Sequence, residues 1–277
     1  MDAWVPVNQV EWADPSMPVP HLAFTSLSVT GDDEYDYVTI PYDQKVPFSV
    51  TPVVVPGGRA ALDVEFFGAH SAATWLSHRP SAKVIREASV RQTASDRVTV
   101  HIELGIAQQW GYKVEVVGNS VRIAVRRPPA IAAAPASPLK GLTVALEAGH
   151  GGMGYGAIGV SGFPEKEINR MTAEALADEL TSAGAKIVIT RKEDEGISLG
   201  KRSQRAIDSN ADLFISVHAN AAGQERGYLR VAGTSTYYKY SFSRDLSEAI
   251  HARLLERTKL GDFGNVGNFN YYPLRAI

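Results

Sequence analysis

The stretch LTVALEAGH, residues 142–150, decides the fold of the second half of the chain. It begins as a short apolar run and ends in a glycine and a histidine, which is typical of a buried strand that leads into a loop. Two further apolar runs, AKIVIT at 185–190 and ADLFISV at 211–217, have the same character. Apolar strands that alternate with helices indicate a parallel sheet covered on both faces. We therefore expect an α/β domain with a mostly parallel sheet.

Three segments around these runs predict the helices of that domain. Apolar residues recur at helical spacing over Glu165–Ser182, 199–209 and 244–259. Gly184 follows the first of these helices as a stop signal. Within the same helix we interpret Ile168 and Met171 as core positions rather than as contacts to a cofactor.

Residues 1–127 have a different periodicity. Apolar and polar residues alternate in several short runs, and a period of two marks half-buried strands. Gly118-Asn119 separates the last two runs and predicts a hairpin turn. The runs are LAFTSLSVT (22–30), YVTIPY (37–42), TPVVVPGG (51–58), AALDVEFFG (60–68), DRVTVHIEL (96–104), YKVEVV (112–117) and SVRIAV (120–125). They predict an all-β, sandwich-like domain, so we expect an α+β chain of two domains.

A segment rich in proline and alanine marks the domain boundary. RRPPAIAAAPASP, residues 126–138, carries four prolines and shows neither strand nor helix periodicity. Closely spaced prolines form a semi-extended spacer. We predict domains at 1–127 and 139–277, joined by a linker at 128–138; the alternative is an alanine-rich loop inside a single domain.

Composition excludes several functional classes. The chain has 277 residues, no cysteine and a net charge of −2. Without cysteine there is no disulfide scaffold, thiol nucleophile or cysteine-bound zinc. The near-neutral charge argues against a nucleic-acid partner held through phosphates. No run approaches the roughly 18 apolar residues of a membrane span, and residues 1–20 lack the basic and apolar regions of a secretory signal.

Three residues stand out by their positions relative to the predicted strands and helices. His150 and His218 each follow a strand at its carboxyl end, and Glu165 opens the first helix. Because ligand sites of open α/β sheets gather at that edge, the three side chains are candidates to converge. Two imidazoles and one carboxylate form a zinc ligand set that leaves a position open for water. Taken singly, each residue has an ordinary alternative, a loop histidine or a first-turn acid favoured by the helix dipole. The histidines at 21, 70, 78, 101 and 251 have no comparable setting, and we interpret them as surface or structural residues.

Motifs in this half of the chain resemble those of the zinc-dependent N-acetylmuramoyl-L-alanine amidases, the cell-wall hydrolase family called amidase type 3. The matching motifs occur in the family's order, and the similarity is strongest over residues 139–220. They are LEAGHGG (146–152), GAIG (156–159), EKEIN (165–169), VITR (188–191), LGKRSQRA (199–206) and NADLFISVHAN (210–220).

The resemblance implies that His150, Glu165 and His218 bind one zinc ion. It implies hydrolysis of the amide between the lactyl group of N-acetylmuramic acid and L-alanine of the stem peptide. Zinc would polarise the amide carbonyl and lower the pKa of a bound water, and a carboxylate would transfer the proton. Arg202 is expected to pack or to form a structural ion pair, and Asn220 to orient the loop after His218.

Two departures from the family pattern bear on the chemistry. Glu147 stands where the family commonly has aspartate, and it is expected to brace a zinc histidine as a hydrogen-bond acceptor. The family's catalytic glutamate lies on a late strand, whereas no glutamate follows Glu256 here and Asp262 is the only later acid. We expect the chain to stop before that strand, so the general base is left unassigned.

If the chain is active, Glu147 and Glu167 are the candidate bases; the alternative is a catalytically silent fragment that binds zinc and cell wall. A zinc peptidase or deacylase with the same ligands fits the motifs less well.

The first domain more loosely resembles the AMIN-type β module that precedes such amidases. The similar stretches are 57–69, 95–104 and 111–125. The resemblance implies binding to peptidoglycan or to a division-site or envelope protein. Trp75, Trp110 and Tyr112 could stack on sugars, although we expect at least two of them to lie in the core. The resemblance also implies that the protein is located in the periplasm or cell envelope, after export by a signal that is not present in this sequence.

Overall fold

The computed structural model describes residues 16, 21–132, 135–221 and 233–277, and it divides into two compact units. The first unit is Met1–Arg127 and the second is Pro128–Ile277. Residues 133 and 134 of the predicted linker lie outside the described residues. The same is true of residues 1–20 apart from Ser16, so the expectation about a targeting signal falls there.

The first unit consists of β strands, which confirms the all-β expectation. Nine strands form a five-stranded sheet in the order β5-β1-β2-β9-β8 and a four-stranded sheet in the order β3-β4-β7-β6. All pairings are antiparallel except that of β1 with β5. The strands are β1 (Leu22–Gly31), β2 (Tyr35–Pro41), β3 (Phe48–Val55), β4 (Arg59–Phe67), β5 (Ala69–His78), β6 (Ile85–Ala94), β7 (Arg97–Leu104), β8 (Tyr112–Val116) and β9 (Ser120–Arg126).

The core of the first unit is an apolar cluster that draws on both sheets. Phe24 and Ile123 come from the five-stranded sheet, and Leu62 and Ile102 come from the four-stranded sheet. Alternate residues of these strands point inward, as the period of two predicts. Gly118-Asn119 forms the predicted two-residue turn, with mutual main-chain hydrogen bonds between Val117 and Ser120.

The second unit contains a three-stranded parallel sheet in the order β11-β10-β12, which confirms the α/β expectation. A separate pair of strands, β13 and β14, is also parallel. The elements are β10 (Thr143–Ala148), α1 (Glu165–Ser182), β11 (Lys186–Ile189), α2 (Leu199–Asp208), β12 (Leu213–Val217), β13 (Thr234–Tyr237), α3 (Arg244–Thr258), β14 (Asp262–Val266) and α4 (Tyr272–Ala276).

The inner face of α1 differs from the sequence interpretation. Ile168 and Met171 are 42% and 54% exposed, so assigning them to the core was wrong. The residues that face inward from the first turns are instead Glu165, Asn169 and Ala173, spaced four apart. The amino-terminal half of the helix therefore directs polar side chains inward, and only later residues such as Leu176 and Leu180 pack on the apolar core.

None of the helices in the described part of the chain combines the length and apolar character required to cross a bilayer.

Candidate metal centre

His150 and His218 leave two adjacent strands at the same edge of the parallel sheet. β10 and β12 pair in register through Ala148 and Val217, and the Gly149 amide donates to the Val217 carbonyl over 2.9 Å. His150 therefore lies two residues past the end of β10, and His218 lies one residue past the end of β12. A side chain at Gly149 would overlap the His218 ring, so glycine is required for this approach. The two imidazoles are T-shaped, with ring centroids 4.9 Å apart.

Glu165 lies between the two imidazoles. Its Oε2 is 3.2 Å from His150 Nε2, and its Oε1 is 3.1 Å from His218 Nδ1. One candidate ligand atom from each residue lies within 4.8 Å of the other two. The structure thus brings together the three residues that the sequence singled out, with nitrogen and oxygen donors facing a common point.

The Glu165 carboxylate is held by several hydrogen bonds besides those to the histidines. Main-chain amides of Ala157 and Ala219 donate to it over 2.9 and 3.0 Å, and the Asn169 side chain donates over 3.2 Å. Burial acts to raise the pKa of this carboxyl, but these donors and His150 together lower it below its usual value. Glu165 is therefore held as a carboxylate, the form that binds metals.

His218 is kept neutral by its surroundings. Burial lowers the pKa of its imidazole, and the nearby charges of Glu147 and Glu165 only partly offset that effect. A neutral imidazole is the form that coordinates a cation. The side chains of His150 and His218 are 32% and 35% exposed, so one side of the cluster is open to solvent.

Glu147 is fully buried in β10, and its partners differ from the expected ones. Its Oε1 lies 3.2 Å from Arg202 Nη1 and accepts a long contact of 3.5 Å from the Tyr271 hydroxyl. That hydroxyl is also 3.4 Å from His218 Nε2, so Tyr271 stands between Glu147 and His218. Burial is the main cause that raises the pKa of the Tyr271 phenol, with the Glu147 charge adding to it. Within the described residues, the other oxygen of Glu147 is buried without a hydrogen-bond partner.

Glu167, the other carboxylate considered as a base, lies in a different environment. It forms an ion pair with Arg170 one turn further along α1, at 3.0 Å.

Asn220 fixes the chain after His218, because its side-chain amide donates to the Gly233 carbonyl and to the Ser235 hydroxyl. Arg202 forms structural contacts, as expected, to Glu147 and to three main-chain carbonyls, those of Ala148, His150 and Ile197.

Sequence reasoning missed two residues near the cluster. Tyr271 precedes α4, and nothing in its local sequence distinguishes it from its neighbour Tyr272. Arg191 was noted only as part of the VITR motif, yet its side chain is buried against the loop of His150. Burial lowers the pKa of this guanidinium, and the nearby positive charge of Arg202 lowers it further.

Comparison with known proteins identifies relatives of the unit that carries the cluster. Residues 144–277 match the sequence model of a family described as N-acetylmuramoyl-L-alanine amidase. The chain is 36% identical over 133 residues to the uncharacterized protein YqiI of Bacillus subtilis (strain 168), which covers 47% of this chain and 62% of YqiI. It is 32% identical over 153 residues to the N-acetylmuramoyl-L-alanine amidase LytC of the same strain, which covers 54% of this chain and 29% of LytC. The chain therefore spans less than two thirds of the length of either relative.

Among solved structures, the chain is similar to the catalytic domain of CwlV, an N-acetylmuramoyl-L-alanine amidase from Bacillus (Paenibacillus) polymyxa var. colistinus. The identity is 31% and the TM-score is 0.44, covering 48% of this chain and 73% of that one.

Proposed function

Because residues 144–277 match the N-acetylmuramoyl-L-alanine amidase family, we propose that the second unit is a zinc-dependent peptidoglycan amidase. Its reaction is hydrolysis of the amide between N-acetylmuramic acid and L-alanine. The observation that carries the proposal is the cluster of His150, Glu165 and His218, whose ligand atoms lie within 4.8 Å of one another.

The donor set of the cluster suits zinc. Two imidazole nitrogens and one carboxylate oxygen are the three protein ligands of many catalytic zinc sites, and a fourth position stays open. The pKa of Glu165 and the pKa of His218 are both lowered, which favours the charged carboxylate and the neutral imidazole that a cation requires. The negative charge of buried Glu147 also acts on His218, and its ion pair with Arg202 offsets part of that charge.

Each protein residue has a distinct task in this proposal. Ala157, Ala219 and Asn169 hold the carboxylate of Glu165, and the tight strand pairing holds the two histidines at one edge. The solvent-open side of the histidines is where the substrate amide approaches. Bound zinc supplies Lewis acidity toward the carbonyl and lowers the pKa of water.

Gly156 brings the glycine-rich loop close to the cluster. It has a φ of +70°, and a Cβ there would lie 2.7 Å from Glu165 Oε2. A larger residue at this position would therefore displace the Glu165 carboxylate, one of the proposed metal ligands.

Metal binding is tested by zinc analysis of the purified 277-residue chain. About one zinc per chain is expected. His150→Ala or His218→Ala should lower the affinity by more than about 100-fold, because each removes a ligand and the loss of a group that only orients a ligand already costs about 10- to 100-fold. His78→Ala, at an end of β5 in the first unit, is the control and should leave zinc binding unchanged. A wild-type chain without zinc would contradict the proposal.

Activity is tested by incubating the zinc-loaded chain with purified sacculi. The expected products are glycans with a free lactyl carboxyl and peptides with a free L-alanine amine. Cleavage at another amide would instead indicate a zinc peptidase or deacylase. Zinc binding without any release would contradict the amidase proposal and leave a silent binding fragment.

The importance of the two candidate bases for activity is compared with paired variants in the same assay. Glu167→Gln should retain activity, because Glu167 is already paired with Arg170 on α1. Glu147→Gln should reduce it strongly, because the change removes a buried charge that acts on His218. Equal effects of the two variants would contradict this distinction.

For the first unit we propose the AMIN-like role of binding peptidoglycan or an envelope protein, which places the protein in the cell envelope and fits a periplasmic location. Trp75 supports the proposal, because its side chain is 70% exposed on edge strand β5, whereas Tyr112 packs on the core. Co-sedimentation of the full chain with sacculi tests it. Trp75→Ser should weaken sedimentation, and Val54→Ser, at an equally exposed site on β3, is the control. Equal sedimentation of both variants would contradict a role for Trp75.

A further inference from the structure

Arg191 is a buried cation whose role the proposed chemistry does not explain. Its side chain is among the largest that the second unit encloses, with only 2% of the residue exposed. Burying a guanidinium is unfavourable unless its donors are satisfied. Within the part of the chain that the structure describes, its hydrogen bonds all go to main-chain carbonyl oxygens.

Two of those carbonyls belong to the segments that carry the candidate ligands. Nε donates to the Ala148 carbonyl over 3.0 Å, two residues before His150. Nη2 donates to the Lys166 carbonyl over 3.0 Å, one residue after Glu165. A single planar side chain from the loop after β11 therefore joins the end of β10 to the beginning of α1.

Arg202 on α2 adds a second set of contacts to the same strand end. Its Nη1 donates to the Ala148 carbonyl over 2.9 Å, and its Nη2 donates to the carbonyl of His150 itself. Arg191 and Arg202 thus share the Ala148 carbonyl as an acceptor. We call Arg191, Arg202 and the carbonyls of Ala148, His150 and Lys166 the carbonyl clamp.

The backbone at His150 requires such support. Its φ is +66°, in the left-handed region that residues with a Cβ rarely adopt. Such a conformation persists only where the surrounding contacts impose it, and it is common at functional sites. The Arg202 contact to the His150 carbonyl restricts the peptide plane that follows His150, and the two guanidinium contacts to the Ala148 carbonyl restrict the plane that precedes Gly149.

We propose that Arg191 and Arg202 are positioning residues that set the spacing of His150 and Glu165 for metal binding. The inference rests on the proposed metal site and extends it to residues that touch neither the metal nor the substrate. Lysine keeps the charge, but its three N–H donors share one nitrogen, so it cannot reach carbonyls as far apart as those that the guanidinium fork bridges.

The test compares zinc affinities of full-length variants by competition with a chromophoric chelator. Arg191→Lys should lower the zinc affinity about 10- to 100-fold, the range found when groups that orient metal ligands are lost. Arg202→Lys should lower it in the same direction. The matched control is Arg205→Lys on α2, because Arg205 bonds the Glu195 carboxylate and the Thr190 carbonyl rather than the clamp.

A second measurement separates positioning from a general loss of fold. The chain loaded with Co²⁺ in place of zinc should show altered visible bands in Arg191→Lys, because the ligand geometry changes, and unaltered bands in Arg205→Lys. Circular dichroism of the metal-free variants reports whether each one folds. If Arg191→Lys does not fold, Arg202→Lys decides the question.

The outcomes are distinguishable from failure of the proposed function. A wild-type chain that binds no zinc overturns both. A wild-type chain that binds zinc, with Arg191→Lys and Arg202→Lys less stable but unchanged in zinc affinity and Co²⁺ spectrum, overturns only the positioning role.

Discussion

The interiors of the two units contain different kinds of buried residues. Among the described residues, the first unit's core cluster contains 20 buried apolar side chains, whereas the second unit's contains only three. Buried polar residues show the opposite distribution. Asp36 and Gln109 are those of the first unit; those of the second are Glu147, Glu165, Lys166, Asn169, Thr190, Arg191, Arg202, Ser203, Thr234, Ser247 and His251.

This difference bears on how each unit is stabilised. Apolar burial contributes about 25 cal/mol per Å² without requiring a partner. Buried polar groups contribute little net free energy, and they become costly when a partner is missing. The first unit is therefore expected to be stable by itself, whereas the second has a polar interior organised around its candidate metal site. A bound cation should matter for the stability of the second unit alone.

The two units can be observed separately in one chain. Of the four tryptophans in the sequence, the two that the structure describes, Trp75 and Trp110, lie in the first unit, and residues 128–277 contain none. The α-helices of the described residues all lie in the second unit. Tryptophan fluorescence thus reports unfolding of the first unit, and circular dichroism at the helix wavelength reports unfolding of the second.

The largest expected effect is at Asp36, the buried charge that departs from the apolar pattern of the first unit. Its Oδ2 accepts main-chain hydrogen bonds from Lys83, Val84 and Ile85, and Oδ1 pairs with Arg127 Nη2 at 2.8 Å. Asp36→Ala should lower the free energy of unfolding by about 3–5 kcal/mol, because it leaves a cation and three amides unpaired. Urea unfolding followed by tryptophan fluorescence measures this loss. The exposed neighbour Asp33→Ala is the control, and equal stability of the two variants would contradict the buried role of Asp36.

The next largest effect is that of zinc on the second unit. At a free zinc concentration about a hundredfold above its dissociation constant, binding adds about 2.7 kcal/mol to the free energy of unfolding. Helix circular dichroism should show this gain, and tryptophan fluorescence should show none. His150→Ala should abolish the gain. Equal stabilisation of both units by zinc would contradict the prediction that only the unit with the polar interior depends on the metal.

A smaller effect is expected at the beginning of α2. Ser198 is the N-cap residue, and its hydroxyl accepts a hydrogen bond from the Lys201 amide over 3.3 Å. Ser198→Ala should lower the stability of the second unit by about 1 kcal/mol, since it leaves that amide unpaired. Ser182→Ala, at the end of α1, is the matched control. A loss of the same size in the control would contradict the capping role.

Sequence patterns predicted the central elements well because the signals there are local. The bounds of α1 agree with the expected Glu165–Ser182, and β10, β11 and β12 fall within two residues of their apolar runs. Strands β5 and β6 were missed. Each is the edge of its sheet, and most of their residues are exposed or half-buried, so they carry little apolar alternation. The short β13, β14 and α4 were missed as well, since so few residues give no clear period.

The candidate site was predictable only where strand topology decides it. Parallel strands bring their carboxyl ends to one edge, so His150 and His218 could be placed together from sequence. The arrangement of Arg191, Arg202 and Tyr271 around them depends on contacts between distant segments, which periodicity does not encode. The misassigned face of α1 has the same origin, since Glu165 and Asn169 turn inward to reach the site while Ile168 remains exposed.

The smallest expected effect is the contribution of Glu195, in the second unit, to the pH dependence of stability. Hydrogen bonds from the Arg205 side chain, with help from the Lys192 amide, lower the pKa of the Glu195 carboxyl from 4.5 to about 2. Because the folded-state pKa is lowered, this carboxylate stabilises the fold above pH 4.5, and the contribution is lost as the pH falls toward 2. The pair is solvent-exposed, so the change should be small. Glu195→Gln should weaken the acid dependence of the helix signal and leave tryptophan fluorescence unchanged, whereas Glu179→Gln, on the exposed face of α1, should behave as wild type. If the wild type, Glu195→Gln and Glu179→Gln lose the helix signal equally with falling pH, other carboxylates of the second unit cause the acid dependence. Glu165 would be the first of these to examine, because its pKa is also lowered.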